Sequence, residues 1–451
     1  MRREIFEELK TKKVLLLGFG KEGKSSYQFI RSMDQTKEIG IADIQPIQDF
    51  DFLNDPYLTF YIGEDYLNAC YDYDIIIKGP GVIIKDYLNE EIKSKITCQT
   101  DLFLKYSKNQ MIGITGTKGK STTSSLLYHM LEKLGKSSIL IGNIGTPVFD
   151  ALDNLKENTI CVLELGVHQL EFMKHSPNIA VILNIYEEHL DHYLSMDEYV
   201  NAKRNIYLYQ TEKDTFFAGN SPYLEFLDDI HATVYRNQEL NKNCYFLNQN
   251  DLIIYRNQER IVIPRAKIET ILKGEHNLTN ILTCLTVISI LGFDLEEGIQ
   301  SLKSFKGLPH RLEYVGTYQG ILFYDDAIAT SIPSVISAID TLEIVDTLIL
   351  GGMDRGIDYL PLITYLQKST IRNVLLLPET NQRIEKLFKN FPSSLNVVSV
   401  SNMEEAVSRS FEITRVGKIC LLSPAAASYN VYKNFEEKGN HFQDLLKKRG
   451  K

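Results

Sequence analysis

The chain has 451 residues, with 49 Lys and Arg against 58 Asp and Glu, so its formal net charge is −9. At about 150 residues per domain, this length predicts about three domains. An acidic chain with dispersed basic residues excludes the electrostatic footprint of a non-specific nucleic-acid binder or an anionic-membrane binder. Six scattered cysteines and an amino terminus without an apolar stretch predict a reduced, cytoplasmic protein with no membrane span.

Short apolar runs alternate with longer amphipathic stretches, which predicts an α/β fold of parallel sheets covered by helices. The predicted strands fall in three clusters: Val14–Leu17, Ile39–Ala42 and Ile75–Lys78; then Met111–Thr115, Ser138–Ile141, Cys161–Leu165 and Ala180–Asn184; finally Thr347–Leu350, Asn373–Leu377 and Ile419–Leu422. A polar segment at 105–110 and the sequence GLPHR at 307–311 place domain boundaries that give 1–108, 109–306 and 307–451. The irregular stretch 209–270 is expected to be an antiparallel embellishment of the middle domain.

A glycine-rich turn, Gly18-Phe19-Gly20-Lys21-Glu22-Gly23, follows the first predicted strand and opens a helix, and Asp43 ends the next strand. This spacing is typical of a dinucleotide-binding turn, in which the glycines admit a pyrophosphate and the acid accepts from a ribose hydroxyl. A second turn, Gly79-Pro80-Gly81, is expected at the same edge of the sheet. Taken alone, the motif fits an NAD-dependent dehydrogenase, a site for another nucleotide diphosphate, or a turn with only a structural role.

The strongest motif is the run Gly116-Thr117-Lys118-Gly119-Lys120-Ser121-Thr122, which lies between a predicted strand and a predicted helix. Such a turn directs backbone N–H groups and the positive end of a helix at a phosphate. Lys120 can reach the β- and γ-phosphates, and the Ser121 hydroxyl can bind Mg²⁺. The glycine spacing departs from that of the usual phosphate loop, but strand, glycines, lysine, hydroxyl and helix occur in the right order. The sequence therefore predicts ATP binding.

Candidate metal ligands lie at the ends of two apolar strands beside this loop. Glu164 is near the end of one strand, and His189 follows the other. A carboxylate and an imidazole at these positions are well placed to hold metal ions on a triphosphate. Each residue alone also fits a structural role, and Lys203 fits a surface lysine whose stem covers apolar neighbours.

Together these segments resemble the Mur ligases, the ATP-dependent amide-forming enzymes of peptidoglycan synthesis, in the motif order of the glutamate-adding branch. The resemblance covers nearly the whole chain and rests on GTKGKSTT, GNIG, ILNIYEEHLDHY, GEHN, GLPHRLE and SPAAAS followed by YKNFEEKGNHF. It implies three domains: a Rossmann-like domain for a uridine nucleotide, a central P-loop-type ATPase domain and a Rossmann-like C-terminal domain.

The resemblance also implies the reaction: the carboxylate of UDP-N-acetylmuramoyl-L-alanine attacks the γ-phosphate of ATP, and the amine of glutamate then displaces phosphate. The partners are thus small molecules, with no nucleic acid or membrane, and we expect a monomer. The resemblance implies that the catalytic groups are Lys120, Asn143, His189 and Lys203, that one Mg²⁺ is held by Ser121 and Glu164, and that a second is held by His189 and a carboxylated Lys203. The implied ATP-binding residues are Gly116–Thr122, Asn277, Asn280, Arg311 and Asp326. The uridine diphosphate is expected to bind Gly18, Phe19, Gly20, Gly23, Asp43, Gly79 and Gly81, and the amino acid is expected to bind Thr330, Arg355, Ser428 and Phe435.

Two departures from the family pattern affect the amino-acid specificity. Gly166 and Val167 stand where the family usually has two serines, and Ile328 stands where the D-glutamate enzymes usually have a lysine. An aliphatic side chain cannot offset the desolvation of a carboxylate, so an L-glutamate-adding ligase is the alternative to a D-glutamate-adding one. An NAD-dependent dehydrogenase would leave Glu164 and His189 unused, and a non-catalytic nucleotide-binding relative would not be expected to keep Lys120.

Overall fold

The computed structural model describes residues 1–451 apart from 48–49, 188–192, 194, 226, 228, 257, 391–394, 430 and 451. The chain divides into two compact units, which are Met1–Thr270 with Glu275–Phe305 and Ile271–Gly274 with Lys306–Lys451. Within the described ranges, no helix is long and apolar enough to cross a membrane. All six cysteines are described, are buried and form no disulfide, as expected for reduced residues.

In the described part of the chain, the strands form three sheets. The first sheet has the order β3-β2-β1-β4-β5 and is parallel throughout. Its strands are β1 (Val14–Leu17), β2 (Ile39–Asp43), β3 (Leu58–Ile62), β4 (Ile75–Lys78) and β5 (Ile96–Thr97), with helices α1 (Arg2–Lys10), α2 (Lys21–Met33), α3 (Phe50–Leu53), α4 (Glu90–Lys95) and α5 (Gln99–Tyr106). The central strands β1 and β4 are buried along their whole length, because helices cover both faces of a parallel sheet.

The second sheet, also in the first unit, has the order β14-β13-β12-β11-β10-β9-β6-β8-β7. Its strands are β6 (Met111–Thr115), β7 (Ser138–Gly142), β8 (Ile160–Glu164), β9 (Ile179–Ile182), β10 (Thr215–Ala218), β11 (Thr233–Arg236), β12 (Cys244–Leu247), β13 (Asp251–Arg256) and β14 (Glu259–Pro264). The helices are α6 (Lys120–Lys133), α7 (Val167–Leu170), α8 (Met196–Arg204), α9 (Glu275–Ile290) and α10 (Leu295–Ser301). The strands β12, β13 and β14 pair antiparallel as expected, but β10 and β11 extend the parallel part of the sheet.

The third sheet lies in the second unit and has the order β15-β16-β20-β17-β18-β19. Its strands are β15 (Glu313–Tyr318), β16 (Ile321–Asp325), β17 (Val345–Leu350), β18 (Asn373–Leu376), β19 (Asn396–Ser399) and β20 (Ile419–Leu422), with helices α11 (Ile332–Leu342), α12 (Leu360–Leu366), α13 (Asn381–Asn390), α14 (Met403–Ile413) and α15 (Phe435–Arg449). Only the β15–β16 pair is antiparallel among the described strand pairs of this sheet. The α/β prediction is confirmed.

Candidate functional site

The glycine-rich turn of the first sheet is held by the carboxylate of Asp43. Oδ2 accepts from the backbone N–H of Phe19 at 2.7 Å, and Oδ1 accepts from the backbone N–H of Gln45 at 2.8 Å. Gly18 has φ +87°, and a Cβ on it would stand 2.5 Å from a methyl carbon of Val82. A side chain at this position would therefore be strained and would also clash, so the turn needs glycine.

A cavity of about 440 Å³ lies beside this turn. It extends from the carboxyl edge of the first sheet to the end of β7 in the second sheet. Every residue predicted to bind the uridine diphosphate lines it except Phe19. The full lining is Gly18, Gly20, Lys21, Glu22, Gly23, Asp43, Ile44, Tyr66, Gly79, Pro80, Gly81, Val82, Gly142, Asn143 and Pro147.

The phosphate loop follows β6 and leads into α6, as predicted. Gly119 is the N-cap of α6 and has φ +86°, a left-handed conformation that favours glycine. The Nζ of Lys120 donates to the backbone oxygens of Gly116 at 2.8 Å and Thr117 at 3.1 Å. This lysine therefore lies over the loop, where a phosphate would meet both its charge and the start of a helix of 14 residues.

Asn184 holds the loop from the end of the neighbouring strand, a role that no local sequence motif predicts. Its Oδ1 accepts from the N–H of Lys118 at 2.8 Å, and its Nδ2 donates to the oxygen of the same residue at 3.0 Å. Its backbone oxygen accepts from the N–H of Thr117 at 2.9 Å. From α9, Oδ1 of Asn280 lies 2.9 Å from where a Cβ of Gly119 would stand, and Asn280 Nδ2 donates to Asn277 Oδ1 at 3.3 Å.

Glu164 is the last residue of β8 and is 1% exposed. Its Oε1 accepts from Nδ2 of Asn143 at 2.7 Å, whereas its Oε2 is buried and has no hydrogen-bond partner among the described residues. A buried carboxylate oxygen without a partner is costly. Because β8 pairs with β6, this oxygen lies next to the strand that leads into the phosphate loop, and the donor set fits a hard cation such as Mg²⁺.

Lys203 is buried below the phosphate loop, so the reading of a surface lysine is wrong. It is 1% exposed, and its Nζ donates to the oxygen of Gly116 at 3.2 Å. Oγ1 of Thr115 lies 3.5 Å from the same nitrogen, and the ring centroid of Tyr199 lies 4.8 Å from it. Lys203 thus lies where β6 meets the phosphate loop. The predicted ligand His189 lies outside the described residues.

A buried polar chain connects the nucleotide turn with the end of β8. Nε2 of Gln169 donates to Oε1 of Glu22 at 2.6 Å, and Oε1 of Gln169 accepts from the N–H of Gly166 at 3.0 Å. Nearby, Nζ of Lys78 lies 3.6 Å from Oε2 of Glu171. Burial raises the pKa of Glu22 and lowers the pKa of Lys78, because a low-dielectric environment disfavours the charged forms.

In the second unit, polar groups converge at the carboxyl ends of β16 and β20. Oδ2 of Asp326 accepts from the hydroxyl of Ser423 at 2.8 Å, and its Oδ1 accepts from the N–H of Leu312 at 3.2 Å. Burial raises the pKa of Asp326 to about 7. Oδ2 of Asp325 lies 2.7 Å from Nδ1 of His310; burial opposes protonation of this imidazole, but its bond to Asp325 leaves the pKa raised. The predicted residue Arg311 is exposed next to this histidine.

The residues predicted to bind the amino acid lie on neighbouring loops of this unit. Thr330 and Arg355 are exposed, and the guanidinium of Arg355 lies 5.4 Å from the ring centroid of Tyr429. Ser428 is 3% exposed, and its Oγ has no partner among the described residues. Phe435 begins α15. The loops are joined by backbone bonds from Ala425 to Ala329 and from Met353 to Ala427, each 2.9 Å long.

The predicted residues thus form two groups. The first unit brings the nucleotide turn, the phosphate loop, Asn143, Glu164 and Lys203 to the carboxyl edges of its two sheets. Arg311, Asp326 and the amino-acid residues lie at the corresponding edge of the sheet in the second unit. In both units the ends of parallel strands carry the candidate ligand groups, as in other open α/β sheets.

Residues 114–288 match the family model described as the Mur ligase middle domain. The chain is 33% identical to the UDP-N-acetylmuramoylalanine--D-glutamate ligase of Clostridioides difficile, covering 97% of this chain and 98% of the relative. It is 30% identical to the protein of the same name from Acetivibrio thermocellus, covering 98% and 97%. Among solved structures, MurF from Acinetobacter baumannii superposes with a TM-score of 0.62 at 15% identity, covering 96% of this chain and 90% of that one. The UDP-N-acetylmuramate-alanine ligase MurC from Thermotoga maritima gives 0.58 at 18% identity, covering 97% and 100%.

Proposed function

The chain belongs to the Mur ligase family, and on this premise we propose that it is an ATP-dependent ligase that adds D-glutamate to UDP-N-acetylmuramoyl-L-alanine. The reaction forms an amide through an acyl phosphate and serves the synthesis of peptidoglycan precursors. Residues 1–108 bind the uridine nucleotide, 109–306 bind ATP and 307–451 bind the amino acid. The protein acts on these small molecules as a cytoplasmic monomer.

One observation carries this proposal: Asn143 belongs to both candidate sites of the first unit. It lines the cavity at the nucleotide turn, and it donates to Glu164 beside the phosphate loop. A nucleotide-sugar substrate seated on the turn would therefore extend its acyl end toward the triphosphate. Holding two reactants in this geometry supplies much of the rate enhancement of a group transfer.

The phosphate loop receives ATP. The backbone N–H groups of the loop and the ammonium of Lys120 bind the phosphates, while Asn277 and Asn280 approach from α9. When the substrate carboxylate attacks the γ-phosphate, negative charge builds on the phosphoryl oxygens. Donors fixed in place before the reaction stabilise that charge without having to reorganise.

The orphaned Oε2 of Glu164 supports a metal site. Ser121 and Glu164 would hold one Mg²⁺, and His189 with a carboxylated Lys203 would hold a second. A bound Mg²⁺ offsets the charge of the phosphate oxygens. The burial of Lys203 against Thr115 and Gly116 supports this role, because a carbamate formed on its amine would lie at the phosphate loop.

Thr330, Arg355, Ser428 and Phe435 form the amino-acid pocket. An L-glutamate-adding ligase is the second candidate, and Ile328 favours it. This partly buried residue donates its backbone N–H to the oxygen of His310 at 3.3 Å, and it offers no charge at the position where D-glutamate enzymes usually have a lysine.

The test is ADP and phosphate release from ATP with UDP-N-acetylmuramoyl-L-alanine, in separate reactions with D-glutamate and L-glutamate. We expect turnover that requires the nucleotide sugar and D-glutamate. Turnover with L-glutamate alone would assign the second candidate. No turnover with either enantiomer would overturn the assignment as a glutamate ligase.

A further inference from the structure

Lys438 is a buried lysine that none of the roles above uses. It lies in the first turns of α15 and is 1% exposed. Its Nζ donates to the backbone oxygen of Gly351 at 3.3 Å and lies 5.9 Å from the ring centroid of Tyr432. Within the described part of the chain, no carboxylate forms an ion pair with it, and burial lowers its pKa to about 8. A lysine this buried is usually paired with an acid.

The ammonium stands between two loops of the amino-acid pocket. A Cβ on Gly352 would lie 2.8 Å from Nζ of Lys438 and 2.5 Å from the oxygen of Ala427, so the absence of a side chain at Gly352 makes room for the charge. Gly352 is the second residue of the loop that carries Arg355, and Ala427 precedes Ser428. The two loops are bridged at Met353 and Ala427, so Lys438 is enclosed by the same backbone that positions the pocket.

We propose that Lys438 supplies the positive charge that receives a carboxylate of the incoming amino acid. This inference rests on the proposed function, since it takes the pocket to bind an acidic amino acid. Ser428 Oγ, buried and without a described partner, is a hydroxyl at the same loop that can donate to that carboxylate. Ile328 cannot provide a cation, and Lys438 provides one from a different element of the same sheet edge.

A short series of contacts connects Ile328 with Lys438. Ile328 donates its N–H to the oxygen of His310, and the ring of His310 lies against Gly439, where a Cβ would stand 2.1 Å from Nδ1. Gly439 follows Lys438 directly. The loop of Ile328 also joins the loop of Ser428 through the bond from Ala425 to Ala329. The positive charge of Lys438 on α15 can thus act in the region of the pocket where Ile328 has no charge.

The experiment compares Lys438→Met, Lys438→Arg and the control Lys448→Met, which removes an exposed lysine from the same helix. The KM values for glutamate, ATP and UDP-N-acetylmuramoyl-L-alanine are measured for each variant with the glutamate enantiomer that the wild type uses. For Lys438→Met we expect a glutamate KM raised by about tenfold or more, as for loss of a charged hydrogen bond, with the other two KM values unchanged. Lys438→Arg should restore most of the glutamate affinity, and Lys448→Met should match the wild type.

A KM is independent of the fraction of folded enzyme, so a partly unfolded Lys438→Met preparation still reports the binding of glutamate. An unchanged glutamate KM in Lys438→Met would overturn the inference while the wild-type turnover still supports the ligase assignment. A parallel rise of all three KM values would also overturn it, because that pattern indicates a general structural role. Failure of the wild type itself to turn over would instead count against the proposed function.

Discussion

Asn143 Nδ2 donates to Oε1 of Glu164 at 2.7 Å, and the backbone N–H of Asn143 donates to the oxygen of Glu164 at 2.9 Å. The two residues are therefore held together through both side chain and backbone. The first bond uses one carboxylate oxygen, and the other is buried and has no described partner. Oε2 is therefore the oxygen of Glu164 that is available to a cation.

We expect Asn143→Ala to lower activity by about 10- to 100-fold, which is typical when a partner that orients a metal ligand is lost. The Mg²⁺ concentration needed for half-maximal ADP formation should rise as well, because Glu164 loses its fixed orientation. Asn241→Ala, on the border of an open surface cavity, serves as the control. An unaltered Mg²⁺ dependence in Asn143→Ala would contradict a role for Asn143 in positioning Glu164.

Lys120→Ala should abolish phosphate release while leaving the binding of the uridine substrate intact. The Nζ of Lys120 lies at the phosphate loop, whereas the cavity at the nucleotide turn is lined by other residues. Calorimetric titration with UDP-N-acetylmuramoyl-L-alanine and a phosphate-release assay measure the two properties separately. Equal loss of both would argue against separate sites for the two nucleotides.

Gln169→Leu should lower the free energy of unfolding by about 1–3 kcal/mol, because it leaves the carboxylate of Glu22 and the N–H of Gly166 without their partner in a buried setting. Urea unfolding measures the change. Gln28→Leu on the exposed face of α2 is the matched control and should change stability by less than about 0.5 kcal/mol. Similar values for the two variants would mean that the buried chain from Glu22 to Gly166 contributes little.

Ionisation of the Asp326 carboxyl should make the second unit less stable as the pH rises. Its pKa is about 7 in the folded chain against 3.8 for the ordinary carboxyl, so the folded state binds this proton more tightly than the unfolded state. Ionisation therefore removes stability between about pH 4 and pH 7, by an amount on the order of 4 kcal/mol at most. The raised pKa of His310 acts in the same direction at higher pH, because its contribution is lost as the imidazole deprotonates.

Thermal unfolding of the ligand-free protein and of Asp326→Asn between pH 5 and pH 8 isolates the effect of Asp326. The variant should be less sensitive to pH over this range and more stable than the wild type at pH 8. If the unfolding temperatures of the wild type and the variant change with pH in the same way, the carboxyl of Asp326 titrates near its ordinary value.

The buried parallel strands could be predicted from sequence because they are continuous apolar runs. The bounds of β1, β4, β6 and β20 match the prediction, and those of β8 and β9 differ by one or two residues. The sequence does not predict β3, because this strand lies at the edge of its sheet and is only partly buried, which weakens the apolar signal. The strands β10 and β11 are not predicted individually because each stands among polar loops in the irregular stretch 209–270.

The candidate site was predictable where a motif is local and not where partners are distant in sequence. The phosphate loop is one continuous segment, so its glycines, Lys120 and Ser121 could be read together. Asn184, 66 residues from Lys118, and Gln169, 147 residues from Glu22, make contacts that only the folded chain brings together. The burial of Lys203 likewise depends on contacts with Thr115 and Gly116, which are 88 and 87 residues away and which its own helical pattern does not reveal.

The burial of every cysteine gives this protein an internal reporter of unfolding. Burial raises the pKa of Cys70 to about 11 and of Cys161 and Cys420 to about 12, so the reactive thiolate is scarce in the native state. These three side chains belong to the regions of the first, second and third sheets. Alkylation followed by peptide mass spectrometry would therefore measure the rate at which each region opens separately, without any engineered label.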